Sequence, residues 1–274
     1  MMLLHDLQAT GLDMPNWLAD STPYLTIMGS MAYGVSTDLS DQDIYGFVIP
    51  PKEMLFPHLA GHLRGFDEEP QNFKVYDPHK VVRGEVEYDF AIYNILHYFR
   101  LVLANNPNML DSLFTPERCV LHLDPVGRMV RENRSIFLSK LARSAYKGFA
   151  NNELQRVLHQ KTINSPKLRE RVERYGYDIK GAYHVVRLML EAEQLLLEGD
   201  LDLERHVDIL TEVRAGEWTR ARVEAFDIEM MGRLETASEA SALPDEPDRA
   251  AIKSLLLDCL EEHYGTISDA IICG

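Results

Sequence analysis

Residues 24–49 read YLTIMGSMAYGVSTDLSDQDIYGFVI. The first five are apolar but for Thr26 and predict a short buried strand, and Gly29-Ser30 breaks it with a turn. A helical piece is expected to begin at 31–34, followed by a polar turn over 36–40. A second strand is expected over 43–49, stopped by Pro50-Pro51. Asp41 and Asp43 are two positions apart, so in an extended chain they share one face. Two carboxylates held together repel unless a positive charge compensates them, and a hard divalent cation such as Mg²⁺ does so. Upstream, bare backbone N–H groups around Gly29-Ser30 offer an approach for a phosphate. A metal and a phosphate cradle together point to chemistry on a nucleoside triphosphate.

Working outward, residues 84–93 (GEVEYDFAIY) alternate strictly. Glu85, Glu87 and Asp89 take one face and Val86, Tyr88, Phe90 and Ile92 the other, the period of a half-buried strand. The acidic face could supply a third metal ligand. From Ile92 the spacing turns helical as far as Leu103, and the Asn105-Asn106-Pro107-Asn108 run ends that helix. Residues 109–114 predict another short helix and 119–123 a further strand. Residues 52–83 lose all period and read as an insertion or long loop with a possible hairpin. Residues 1–23 predict a helix on Leu3, Leu4, Leu7 and Leu12, then a turn.

Beyond Pro125 the pattern is helical nearly to the end. Helices are expected over 126–149, 150–160, 180–198, 202–210, 217–234 and 250–264, with a polar connector over 238–248. The fold class is therefore α+β. An N-terminal domain, 1–125, holds a small mixed sheet, and an all-helical domain, 126–274, has a basic first half and an acidic tail.

The 274 residues are 46% hydrophobic, enough for a sizeable core. No apolar run approaches the roughly 18–20 residues of a membrane span, and the N-terminus lacks a basic region and a long apolar stretch. Neither a membrane anchor nor a signal peptide is expected. Cys119, Cys259 and Cys273 have no zinc spacing and suit a reducing, cytoplasmic setting. The net charge of −15 hides a split: residues 128–187 carry 14 Lys and Arg against 5 acids, leaving 14 bases and 38 acids elsewhere. A basic middle of this kind is compatible with a phosphate-binding surface. Within it Lys180, His184 and Arg187 fall at i, i+4 and i+7 on one helical face. They could grip phosphate, or simply form a solvated face. Lys147 with Asn151-Asn152 is a weaker candidate of the same kind.

The run GSMAYGVSTDLSDQDIYG resembles the Gly-Ser and paired-aspartate signature of the DNA polymerase beta-like nucleotidyltransferases. It is most similar to the RNA repair pathway DNA polymerase beta family. Residues 105–110 (NNPNML), 175–180 (YGYDIK) and 184–188 (HVVRL) extend the resemblance over most of 24–200. The resemblance implies that Gly29 and Ser30 form the phosphate loop and that Asp41 and Asp43 bind metal. It takes the third carboxylate from a later strand, with Asp89 the better match and Glu87 the alternative. It also favours Lys180, His184 and Arg187 as nucleotide-binding residues. One or two Mg²⁺ ions, an NTP substrate and an RNA or tRNA acceptor end follow from it. A protein or small-molecule acceptor, and a non-catalytic nucleotide-binding module, are the competing expectations.

Overall fold

In the computed structural model, residues 2–36, 41–61, 73–159 and 166–265 are described. The sheet is assembled around the two strands that the opening stretch predicts. β1 (Tyr24–Ile27) and β2 (Gln42–Val48) run antiparallel, with Tyr24 opposite Phe47 and Ile27 opposite Ile44. Before them, α1 (Met2–Ala9) buries Leu4 and Leu7. After them come a single helical turn, α2 (Lys52–Leu55), and two short strands, β3 (Val75–Tyr76) and β4 (Val81–Arg83).

β5 (Val86–Asn94) then lies parallel to β2, from Gln42 opposite Tyr88 to Val48 opposite Asn94. A parallel pair cannot be closed by a hairpin, which is why a long segment intervenes between β2 and β5. Both β3 and β4 pair antiparallel with β5, so the possible hairpin within 52–83 becomes two short strands laid along a third. The central sheet order is β3-β5-β2-β1-β6, where β6 (Val120–Leu123) pairs with β1 across a bulge at Leu25 and Thr26. Phe90 and Ile92 of β5, with Ile44 and Val48 of β2, are buried in the core on one face of the sheet. On β5 the alternate face carries Asp89, Ala91 and Tyr93, which are only half-buried. Burial on the first face thus fixes which way the carboxylates point.

Several expected boundaries move. The helix expected at 31–34 is instead a single 3-10 turn at Gly29–Met31. The polar turn expected over 36–40 lies largely outside the described residues. α3 (Ile95–Leu103) starts three residues later than its apolar spacing suggests. Asn94 still belongs to β5, and its side chain accepts the Leu96 N–H at 2.9 Å as the cap. α4 (Pro107–Phe114) follows with Asn106 as its cap. The expected helices at 126–149 and 150–160 become α5 (Pro125–Glu132) and one longer α6 (Leu141–His159).

α7 (Pro166–Tyr175) leads into α8 (Ile179–Glu198), capped by Asp178 and closed by Gly199 at φ +64°. The helix expected at 202–210 is α9 (Val207–Ala215). α10 (Arg220–Ala240) runs into the expected connector, and α11 (Arg249–Tyr264) ends the described chain. α8 is buried on nearly all sides, because α6, α9 and α10 pack around it. No described helix is long and apolar enough to cross a membrane.

The two halves share one core. α11 packs back onto α5 and α3. Buried Arg131 of α5 donates to the Tyr24 hydroxyl of β1 at 3.0 Å, and that hydroxyl donates to the Ser112 carbonyl of α4 at 2.5 Å.

Candidate active site

The parallel register sets Asp43 of β2 directly opposite Asp89 of β5. Neighbouring strands lie about 4.8 Å apart, so two carboxylates on one face at paired positions are forced together. Asp41 stands exposed just before β2. Glu87, the alternative third carboxylate, is registered instead against Val82 of β4. Of the two acids, Asp89 is the one set across from Asp43.

Gly29 explains how Asp43 is seated. The Met28 N–H donates to the Asp43 carbonyl at 2.7 Å, so the end of β1 delivers Gly29 against this residue. Gly29 has φ +65°, and a Cβ there would fall 2.3 Å from Asp43 Oδ2. Only glycine allows both the turn and the approach. Ser30 continues the same 3-10 turn, and its carbonyl accepts the Val35 N–H at 2.9 Å.

Asp43 is pushed above the usual carboxylate range. Burial is the main cause, Lys180 opposes it, and Asp89 and Asp41 add to it. Asp89, Asp41 and Lys180 therefore all act on Asp43. Lys180 belongs to the first turn of α8, where the Asp178 side chain accepts its backbone N–H and leaves its ammonium exposed.

The other two residues on that helical face part from Lys180. Burial, then the charges of Arg187, Lys180, Arg214 and Arg156, push His184 down to about 3. Burial and these cations thus favour the neutral imidazole, which brings no positive charge to a phosphate. Arg187 is buried and does not line the cleft. Its Nη1 donates to Asp111 Oδ2 at 2.5 Å and to Glu191 Oε2 at 2.9 Å, and also to the Tyr33 hydroxyl at 2.7 Å. Tyr33 in turn donates to Asp111 at 2.7 Å. The tyrosine of the GSMAYG run is thus tied to α4 and α8 from beneath.

The basic middle is also less of a surface than its count suggests. Arg131 and Arg187 are interior, and Lys140, Arg143, Arg156 and Arg171 pair with Asp245, Glu235, Glu153 and Asp178.

A cleft of about 280 Å³ opens beside the carboxylates. It is bordered by Asp43 and Asp89, by Tyr45 and Tyr93 further along the same two strands, and by Asp77 and His79 from the segment before β4. Asp89 Oδ1 accepts the Lys80 N–H at 2.7 Å and lies 3.8 Å from His79 Nδ1. The unpatterned segment therefore contributes a loop to the site, which sequence reasoning missed because nothing periodic marks it. Tyr45 and Tyr93 were legible in principle, since they stand two and four positions beyond Asp43 and Asp89 on the same strand faces.

Among the described residues, no three His, Cys, Asp or Glu side chains enclose a metal position as they stand. Asp89 is engaged by the 77–80 loop instead. The donor chemistry nevertheless suits a hard divalent cation, with carboxylate oxygens only and a shortage of compensating charge at Asp43.

The sequence model of the RNA repair pathway DNA polymerase beta family matches residues 18–258. An uncharacterized 38.9 kDa protein from the nrdC-mobD intergenic region of Enterobacteria phage T4 is 27% identical over 128 residues, 46% of this chain and 35% of the phage protein. Among solved structures, a nucleotidyltransferase-like protein from Exiguobacterium sibiricum 255-15 is similar at 12% identity with a TM-score of 0.32, over 94% of this chain and 80% of that one.

Proposed function

Since the chain belongs to the RNA repair pathway DNA polymerase beta family, we propose that it transfers a nucleoside monophosphate from an NTP to a hydroxyl at an RNA or tRNA end, releasing pyrophosphate. The observation that carries this reading is the pairing of Asp43 with Asp89 across parallel strands, with Gly29 packed on Asp43. Nothing in the core needs two facing carboxylates. They are costly to hold together, and a reaction that gathers charge on a phosphoryl group gives them a use.

Asp41, Asp43 and Asp89 would hold one or two Mg²⁺ ions. Bound there, the metal supplies charge neutralisation at the phosphates and a lowered pKa for the attacking hydroxyl. Gly29 and Ser30 bring backbone close to the donor phosphates, and Lys180 adds a cation beside Asp43. Asp89, half-exposed and already accepting one N–H, is placed to take the proton of the acceptor hydroxyl. Arg187 acts from behind, holding Tyr33 and hence the loop that carries Gly29.

The test combines the full chain with labelled NTPs, Mg²⁺ and RNA. Transfer to RNA is expected, and it should vanish when Asp41 and Asp43 are both changed to Asn. Persistence of transfer in that double variant would refute the assignment. The net charge of −15 favours a second acceptor class, a protein or small-molecule hydroxyl. Label that enters protein rather than RNA decides for it.

A further inference from the structure

The two flanks of the carboxylate pair differ in charge and in shape. On one flank stand Lys180 and the end of α8, where Arg171 of the basic helix α7 donates to Asp178 Oδ1 at 2.9 Å. On the other flank lies the 280 Å³ cleft, whose charged lining is Asp43, Asp77, Asp89 and one imidazole, His79. No Lys or Arg side chain lines it among the described residues. Away from the edge where Asp43 and Asp89 would hold metal, a phosphate would meet Asp77 and no Lys or Arg side chain, so the rest of the cleft suits an uncharged group better than the donor's phosphates.

The rest of the lining is flat and apolar. The Tyr45 and Tyr93 rings stand 6.5 Å apart at 46°, and the His97 ring lies 5.7 Å behind Tyr93. Val75, paired with Tyr93 across β3 and β5, borders the same space. The volume lies just under the roughly 300–1,000 Å³ of ordinary ligand pockets. That suits one nucleoside and is small for a whole nucleoside triphosphate.

We infer that this cleft seats the terminal nucleoside of the acceptor strand, with its base stacked on Tyr45 and Tyr93 and its sugar turned toward Asp89. The inference rests on the transferase reading and names the part of the acceptor that the site recognises. Strand order imposes the arrangement. Asp43 and Tyr45 lie along β2, Asp89 and Tyr93 along β5, so an occupant that stacks at the tyrosines extends toward the carboxylates. Asp77 offers an acceptor to a sugar hydroxyl or an exocyclic amino group. The donor's phosphates are left to the Lys180 flank. The tyrosines stack on any base, so recognition here is of a base as such rather than of its identity.

The experiment uses the full chain and a fluorescein-labelled single-stranded RNA hexamer, compared with the same hexamer carrying an abasic 3′-terminal ribose. Anisotropy is read with Mg²⁺ and without NTP. Removing the terminal base should weaken binding to the wild-type protein roughly 5- to 150-fold, the range that stacking on an aromatic side chain gives. Tyr93→Ala should bind both hexamers equally and weakly, whereas Tyr93→Phe should keep the discrimination.

Equal affinity of the wild-type protein for the two hexamers overturns the inference, whatever the variants do. So does the absence of RNA binding, and so does displacement of the RNA by a tyrosine-containing peptide, which would assign the cleft to a protein acceptor. Calorimetry of NTP with Mg²⁺ on the same preparation keeps the two readings separate. Failure there counts against the transferase, while the base comparison still decides the cleft.

Discussion

The molecule holds two clusters of acids, and they are handled in opposite ways. Asp111 and Glu191 are buried beneath the Gly29 turn, with the Arg187 guanidinium between them and Tyr33 and Tyr146 donating to Asp111. Asp41, Asp43 and Asp89 gather at the mouth of the sheet, with one exposed lysine nearby. In the first cluster every acid has a partner inside the fold. In the second, repulsion is left partly uncompensated where solvent and ligands can reach it. A protein that only needed stability would treat both alike. The contrast marks the first cluster as scaffold and the second as the place where an external charge is expected.

The comparison can be broken most directly at the exposed cluster. Asp43→Asn should cut nucleotidyl transfer by roughly 10³-fold or more, a loss of about 4 kcal/mol of transition-state stabilisation. It should leave the melting temperature unchanged or raise it, because a repelling charge is removed. Steady-state rates and a thermal melt check both halves. A large fall in melting temperature would instead make Asp43 part of the scaffold.

Arg187→Met should do the reverse, losing about 3–5 kcal/mol of stability because Asp111 and Glu191 are left without their cation. In a thermal melt that corresponds to roughly 6–20 °C. Should Arg187→Met remain fully stable yet lose NTP affinity, Arg187 would belong with the nucleotide ligands after all.

Gly29→Ala sits between the two clusters. The left-handed turn alone costs about 1–2 kcal/mol for any residue with a Cβ. The new methyl would also push the Asp43 carboxylate aside, so transfer should fall further than stability does. Denaturant titration beside kinetics separates these contributions.

Glu191→Gln is the mildest change. Burial drives Glu191 well above the usual carboxylate range, Arg187 opposing and Asp111 adding. A folded-state pKa raised in this way contributes stability that is present below the ordinary carboxylate range and is lost as pH rises through the raised value. Asp111, Arg187, Tyr33, Tyr146 and Tyr183 are the charged or titratable groups around it. Near the acidic end the Gln variant should match the wild type within about 1 kcal/mol. Toward alkaline pH the wild-type melting temperature should fall more steeply than that of the variant, and melts across a pH series read this difference.

Much of the fold was legible because it is local. The period of two in 84–93, the apolar run at 24–28 and the long apolar helix at 180–198 each appear as elements of the expected type. Their ends were harder to place where a tertiary partner decides them. Ile92 to Asn94 stay in β5 because Gly46 to Val48 of β2 and Val75 and Tyr76 of β3 pair with that stretch. Among the candidate site residues, exposed Lys180 acts on Asp43 through its charge, whereas Arg187 two turns on is taken into the interior. Helical spacing put them on one face, yet it carries no information about what stands across from each. The 77–80 loop was invisible for a related reason: its role comes from pairing around Asp89, not from any pattern of its own.

The sequence by itself determined that a Gly-Ser turn and two strands with acidic faces exist, because strand period and glycine's conformational freedom are properties of neighbouring residues. It also carried enough signature to place the chain in its family. Only the tertiary structure decided that Asp89 rather than Glu87 faces Asp43, because the parallel register of β2 and β5 is set by burying Phe90, Ile92, Ile44 and Val48 on the opposite face. Likewise, only the tertiary structure decided that the buried guanidinium of Arg187 serves Asp111 and Glu191. Side-chain charge is written in the chain, but the partner that neutralises it, or fails to, is set by packing between distant segments.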